Sequence, residues 1–296
     1  MTKMNIKSEF QKYFRKRPRA SHKGDYGRIF ILAGSVGLSG ACYLTTMAAL
    51  RSGAGLVTVG VPRSLVLPLT RRFTEAMMKP LPETKEGTLS QSAFRPIRIF
   101  LKTQDVLALG PGLSLNRKTQ ALIRQVVLHS RKSMVIDADG LNAFKGMPNL
   151  FLKLKAPAIL TPHAGEFIRL FGGRIPKGNR ERKGRALHVA RQFRVAVVLK
   201  GHHTIVASPK GEVYINQTGN PGMATGGSGD VLTGIIASML GQNAKPFEAA
   251  CFGVFIHGLA GDLAAKEKGE ISLVAGDILN ALPLAFQKVL RHNDAH

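Results

Sequence analysis

The feature that most constrains how this chain can fold is a regular alternation between short apolar runs and longer helical stretches. Residues 28–33, 56–61, 105–109, 133–137, 158–161 and 195–200 form runs rich in Val, Ile, Leu and Ala. They lack the in/out alternation of a half-solvated strand and read as strands buried on both faces. Between them, residues 39–52, 118–129, 165–171 and 180–193 carry helical patterns, the first with Ser39 as its N-cap and Gly53 as its stop. Strands alternating with helices build βαβ units. The predicted class is therefore α/β, with a mainly parallel central sheet covered on both faces. Past Lys200 the rhythm changes. Residues 204–207 and 212–216, joined by Ser208-Pro-Lys-Gly211, predict a hairpin at one edge of the sheet, and three helices follow at 229–240, 247–266 and 275–290. No low-complexity linker or internal repeat divides the chain. The expected organisation is a basic lead-in over residues 1–20 and one domain over residues 21–296.

Composition narrows the class. At 296 residues and 44% hydrophobic, the chain has ample material for a large core and is neither disordered nor fibrous. No apolar run approaches the roughly 20 residues that cross a bilayer, and residues 1–27 lack the apolar centre of a secretory leader. Cys42 and Cys251 lie far apart in apolar helical stretches and read as buried reduced thiols, since a disulfide framework or zinc site needs more cysteines at closer spacing. A soluble cytoplasmic protein is expected.

The charge is unusual: 42 Lys and Arg against 18 Asp and Glu, a net +24. Such a field attracts polyanions, from nucleic acid to phosphorylated small molecules. Aromatic residues at 6%, with no Trp, are thin for base stacking, and no nucleic-acid-binding module is recognisable. Neither a nucleic-acid nor a membrane partner is expected. The local basic clusters are at 12–19 and 174–185, and the second, which contains Glu181, reads as the solvated face of a helix.

Glycine placement points to a ligand. Several strand-like runs end in glycine-bearing loops: Gly34-Ser-Val-Gly-Leu-Ser-Gly40, Gly110-Pro-Gly112, Asp137-Ala-Asp-Gly140 and Thr161-Pro-His-Ala-Gly-Glu166. In an open α/β sheet such loops gather at the carboxyl ends of the strands, where ligands bind. The strongest feature is Asn220-Pro-Gly-Met-Ala-Thr-Gly-Gly-Ser-Gly-Asp230, running directly into an apolar helix. Its glycines let successive N–H groups converge, and the helix start adds its partial positive charge, so Gly226, Gly227, Ser228 and Gly229 form a candidate anion hole. Asp230, in the first helical turn, either caps the helix or takes a proton from an attacking hydroxyl, and the length of the glycine run favours the second role. No P-loop, G-x-S-x-G elbow or H-E-x-x-H is present, and the 34–40 loop lacks the G-x-G-x-x-G spacing.

Other residues carry two readings each. His163 follows a proline and either caps a helix or meets a ligand. Lys200 ends an apolar strand, which favours the crevice over the surface. His202-His203 reads as a loop rather than a metal pair, because neighbours in extended chain point apart. Asp137 and Asp139 read as capping or loop-shaping residues rather than metal ligands, and His257 and Asp262 as packing or surface residues.

Taken together these stretches resemble the ribokinase-like superfamily, and within it the ADP/ATP-dependent NAD(P)H-hydrate dehydratases. The resemblance is carried by Lys23-Gly-Asp-Tyr-Gly-Arg28, Ala33-Gly-Ser35, Gly40-Ala41, Arg51-Ser-Gly-Ala-Gly55 and Gly110-Pro-Gly-Leu113. It continues through Asp137-Ala-Asp-Gly-Leu-Asn142, Leu160-Thr-Pro-His163, Glu166, Lys200-Gly201, Thr204 and Gly227-Ser-Gly-Asp230. These motifs run in the family's order from about residue 22 to residue 285. Ala164 departs from it, standing where the family reads proline.

The resemblance implies a ribokinase-like three-layer α/β/α sandwich and a stand-alone form without the epimerase domain fused to many relatives. It implies ADP- or ATP-dependent dehydration of the S-epimer of NADHX or NADPHX, with Asp230 as catalytic base. Ala41, Gly112, His163 and Asp230 would meet the hydrate. Lys200, Gly201, His202, His203, Thr204 and Gly229 would hold the nucleotide, and Glu166 would face Mg2+ through water. A homo-oligomer, a tetramer, is the family habit. A ribokinase-like kinase of a vitamin-precursor alcohol is the alternative.

Overall fold

A computed structural model of the chain describes residues 5–14, 17–174 and 178–290, so the basic clusters at 12–19 and 174–185 lie partly outside the described residues, as do residues 291–296. The apolar runs form one sheet. Its strands are β1 (Arg28–Leu32), β2 (Leu56–Pro62), β3 (Met77–Leu81), β4 (Val106–Leu109), β5 (Ser133–Ile136), β6 (Ala158–Leu160), β7 (Ala196–Leu199), β8 (Ile205–Ala207) and β9 (Val213–Ile215). The spatial order is β3-β2-β1-β4-β5-β6-β7-β8-β9. Strands β3 through β7 in that order pair in parallel, and β8 and β9 add an antiparallel hairpin at the edge, as the change of rhythm past Lys200 predicts. Strand β3 escapes the sequence reading because Lys79 and Pro80 break its apolar pattern, and proline belongs on an edge strand such as this one.

The helices are α1 (Ile6–Tyr13), α2 (Ser39–Arg51), α3 (Val66–Thr70), α4 (Phe94–Phe100), α5 (Arg117–His129), α6 (Ala138–Asn142), α7 (Ala164–Phe171), α8 (Gly178–Phe193), α9 (Ser228–Gly241), α10 (Pro246–Lys268) and α11 (Ala275–Leu290). Side chains alternate along each strand, so Ile29 and Ile31 of β1 enter one core while Phe30 and Leu32 enter the other. The first core holds α1, α2, α9, α10 and α11, and the second holds α4 through α8. The result is a three-layer α/β/α sandwich.

Three local expectations change. Leu38, not Ser39, is the N-cap residue of α2, and it makes no side-chain cap bond. Within the basic lead-in, α1 seats Phe10 with no exposure against Phe14, Phe252, Phe255 and Phe286. Helix α10 does meet the length and apolarity of a membrane span, yet 72% of its most apolar window is buried inside the fold, as suits a core helix.

Helix α9 is the element that positions the candidate site. Every residue from Val231 to Gly241 is buried, with α2 on one side, α10 on another and β4 and β5 beneath. Its closest crossing is with α2, where a Cβ on Gly234 would stand 2.1 Å from the Thr45 carbonyl oxygen and 2.8 Å from Ala48 Cβ. Gly234→Ala should therefore destabilise the protein by about 1–3 kcal/mol, despite alanine's better helix propensity. Denaturant unfolding checks this, and an unchanged midpoint would contradict so close a crossing.

Candidate active site

Because β1, β4, β5, β6 and β7 run the same way, the loops that follow them meet at one edge. The chain reverses its direction of travel across the sheet at β1, which has β2 on one side and β4 on the other. Loops at such a switch point diverge and leave a crevice. Two hydrogen bonds of 2.8 Å tie the loops there, from the Gly34 N–H to the Pro111 carbonyl and from Ser35 Oγ to the Gly112 carbonyl. Gly112 has φ +64°, and a Cβ on it would lie 3.0 Å from Ala41 Cβ. Gly112 and Ala41 therefore adjoin on one wall, with Ala41 in the first turn of α2.

The glycine-rich loop enters α9 through Gly227, its N-cap residue, which holds φ +87° and makes no side-chain cap bond. The helix starts one residue earlier than expected, at Ser228. A Cβ on Gly227 would stand 2.6 Å from Leu44 Cδ1, so α2 and the loop touch, and the positive φ favours glycine there. Among the described residues, the N–H groups of Gly226, Gly227 and Gly229 have no acceptor. Unsatisfied amides at a helix start form an anion site. Asp230 does not cap the helix, and its carboxylate accepts no hydrogen bond among the described residues. Burial, then the charge of Asp137, pushes it up to about 7 against the pull of Lys200, with Asp139 and Glu166 adding to the rise.

A lysine and two carboxylates lie beneath. Lys200 Nζ is 2.7 Å from Asp137 Oδ1 and 3.9 Å from Glu166 Oε2. Burial alone would lower its pKa, but Asp137, Glu166 and Asp230 together hold it above its ordinary value, so it stays charged. It is no surface cation. Asp137 is the N-cap residue of α6 but makes no side-chain cap bond; its second oxygen accepts instead from Thr233 Oγ1 at 2.8 Å, one turn beyond Asp230. Nothing in the sequence around Thr233 marks it, because among the apolar residues of the helix interior it reads as core. A Cβ on Gly229 would sit 3.2 Å from Lys200 Nζ, so the glycine lets the helix start close over the ammonium.

His163 does cap α7. Its Nδ1 accepts from the Gly165 and Glu166 N–H groups at 3.0 and 3.4 Å, while Glu166 Oε2 accepts from the His163 N–H at 2.8 Å. The ring is exposed and its Nε2 lies 3.5 Å from Glu166 Oε1. Ala164 occupies the first helical position of α7, where proline is favoured because the missing N–H costs no helical bond. Asp139 shapes its loop by accepting from the Ser114 N–H and Asn142 Nδ2.

The 200–204 loop departs from expectation in two ways. The rings of His202 and His203 do not point apart: their centroids are 3.8 Å apart, and His203 Nδ1 meets Asn179 Nδ2 on α8. Among the described residues, no group of three or more His, Cys, Asp or Glu could hold a metal ion. Thr204 Oγ1 donates to the Gly201 carbonyl. The loop is held by Arg182, which donates to the carbonyls of Leu199, Lys200, His202 and His203. Arg182 belongs to the basic cluster read as a solvated face. Composition hid its role, since a guanidinium bonding carbonyls leaves no charge pattern in the sequence. The structure thus brings Ala41 to Gly112, and Glu166, His163, Gly229 and Asp230 to the surroundings of Lys200, while His203 turns toward α8.

An unfolded chain releases the Asp230 proton near 3.8 and the folded one near 7, so ionisation of this group weakens the fold as pH rises between those values. Asp230→Asn should raise the thermal midpoint at pH 8 and leave it near the native value below pH 4. Calorimetry at both pH values checks this, and a lowered midpoint at pH 8 would contradict the raised carboxylate.

A family model described as NAD(P)H-hydrate dehydratase matches residues 29–284. The bifunctional NAD(P)H-hydrate repair enzyme of Moorella thermoacetica is 45% identical over 93% of this chain and 52% of its own, so the chain spans about half the length of that relative. The ADP-dependent (S)-NAD(P)H-hydrate dehydratase of Neisseria meningitidis is 37% identical over 92% of this chain and 89% of its own. Among solved structures, the Bacillus subtilis ADP/ATP-dependent NAD(P)H-hydrate dehydratase, co-crystallised with ATP and Mg2+, superposes with a TM-score of 0.82 at 30% identity, covering 96% of this chain and 97% of that one. With its ribokinase-like sandwich and its glycine-cradled carboxylate, the chain belongs to the NAD(P)H-hydrate dehydratase family.

Proposed function

We propose that this protein returns NADHX or NADPHX, as the S-epimer, to NADH or NADPH at the expense of ADP or ATP. The observation that carries the reading is Asp230: a carboxylate without a hydrogen-bond partner among the described residues, raised to about 7, beside helix-start amides that lack acceptors. A base with a pKa near the working pH is half ionised there and transfers protons well. Asp230 takes the proton from the ring hydroxyl of the hydrate. The hydroxyl oxygen then bonds to the terminal phosphorus of the nucleotide as the bond to the leaving nucleotide breaks. The ring nitrogen's electron pair expels phosphate with the carbon–oxygen bonding pair, and loss of a proton from the next ring carbon restores the double bond. Phosphate leaves far more readily than hydroxide, so the nucleotide makes the dehydration feasible.

In this reading Ala41, Gly112 and His163 hold the hydrate. Lys200, Gly201, His202, His203, Thr204 and Gly229 hold the nucleotide, and the amides of Gly226, Gly227 and Gly229 steady the migrating phosphoryl group, whereas the Ser228 N–H of the expected anion hole already donates to the Thr225 carbonyl at 3.4 Å. The Glu166 oxygens already face His163 and Lys200, so this carboxylate would reach Mg2+ through water, with the ion seated on the nucleotide phosphates. Bound there, Mg2+ would supply neutralising charge to the phosphates. The vitamin-precursor kinase is not favoured, because the family match is to dehydratases. We also propose a cytoplasmic homotetramer: two buried free thiols suit a reducing compartment, and exposed apolar side chains such as Leu67, Ile271 and Val274 suit subunit contact.

Incubation with NADHX, Mg2+ and either ADP or ATP should restore NADH absorbance. Asp230→Asn should slow this by about 10²–10⁴-fold. The native kcat/KM should fall as pH drops through about 7, as Asp230 gains its proton. No recovery of NADH, together with phosphate transfer to a small alcohol, would support the kinase instead.

A further inference from the structure

Helix α10 carries two polar side chains for which the reaction above has no use, His257 and Asp262. Both face the glycine-rich loop. The Asp262 carboxylate accepts from the Gly219 N–H at 2.9 Å and from Asn220 Nδ2 at 3.0 Å, at the loop's entrance. At the loop's exit, His257 Nε2 lies 2.9 Å from the Ser228 carbonyl oxygen and 3.3 Å from Ser228 Oγ. Two glycines lie between them on the same helix. A Cβ on Gly258 would stand 2.2 Å from Thr218 Oγ1, and one on Gly261 would stand 2.2 Å from Met223 Sδ. The turn before adds two backbone anchors, since the Val254 and Phe255 carbonyls accept from Asn216 Nδ2 and Thr218 Oγ1.

A helix does not need glycine at two interior positions for its own stability. Gly258 marks close approach of the Thr218 backbone and Gly261 leaves room for the Met223 side chain, and the approaching segment is the one that ends in the candidate anion hole. The Ser228 carbonyl and the Gly229 N–H belong to one planar peptide and point in opposite directions. Holding the carbonyl toward α10 therefore aims the amide away from α10.

We propose that His257 and Asp262 are positioning residues that clamp both ends of the 219–229 loop against α10 and so fix the direction of its phosphate-facing amides. His257 is suited to this as a neutral donor. A carbonyl oxygen only accepts, so Nε2 carries the proton, and burial first, then the charge of Lys200, holds the ring down at about 4 although the bond to Ser228 opposes this. The ring keeps that one arrangement through the physiological range. The clamp deepens the dehydratase reading in that it serves the same site, but its geometry can be tested without it.

The test uses the full chain and four variants. In His257→Leu and Asp262→Ala, hydrogen exchange of the amides in 216–230 should quicken by about tenfold while the strands keep native protection. With NADHX, Mg2+ and ADP, the same variants should lose about tenfold to a hundredfold in kcat with KM for NADHX near the native value. His257→Gln keeps an N–H donor and should recover most of both properties, whereas Gly258→Val should resemble His257→Leu. Native exchange rates in His257→Leu would overturn the clamp. So would equal impairment of His257→Leu and His257→Gln, which would mean that the ring acts by packing alone. A native protein that returns no NADH from NADHX would sink the dehydratase reading, and the exchange rates would still decide whether the clamp exists.

Discussion

The site depends on one constraint: a helix buried along almost its whole length ends, at its amino terminus, on the carboxyl edge of the sheet. Helix α9 cannot slide or tilt without breaking contacts to α2, α10, β4 and β5 together. Its first-turn amides, the Asp230 carboxylate and the Thr233 hydroxyl therefore move as one body. The Thr233 bond to Asp137 carries that rigidity into the sheet, and the Asp137 bond to Lys200 carries it across to β7. A phosphate-facing surface made of main-chain amides is only as well oriented as the helix that bears it. Here the hydrophobic core supplies the orientation.

Four carboxylates share this edge with one buried ammonium, and their surroundings assign them different work. Asp137, Asp139 and Glu166 each accept hydrogen bonds from neighbouring donors, which hold them in place and occupy their lone pairs. Asp230 has no such donor among the described residues and is left with the desolvation cost and the repulsion of the others. A proton relieves both. The unpartnered carboxylate is thus the one whose affinity for a proton is raised, and it stands beside the amides that lack acceptors. Structural carboxylates are satisfied and a base is not, and that difference separates Asp230 from the rest.

Much of the architecture was legible before the fold. Strands β1, β2 and β4 through β7 follow from apolar runs bounded by glycine and polar residues, because burial on both faces leaves little other composition, and β8 and β9 follow from the turn that joins them. The glycine run before Asp230 announced its turn in the same way, since glycine takes up the positive φ that Gly227 adopts without the steric cost a side chain brings. Strand β3 and helix α1 were not legible. Pro80 disguises one as a break, and the basic residues around Phe10 disguise the other as solvated chain.

Within the site, the residue types and their rhythm are written along the chain: which loops end in glycine, which strand ends in lysine, and where a carboxylate meets a helix start. Those are local properties, set by backbone preference and by the period of apolar side chains. Which polar groups answer one another was settled by packing across the fold. Lys200 finds Asp137 across 63 positions, and Thr233 reaches the same carboxylate across 96. Arg182 spends its donors on loop carbonyls, and α10 turns His257 and Asp262 toward the glycine loop. Such pairings depend on distances set by the packing of whole helices against a twisted sheet, and no spacing along the chain encodes them.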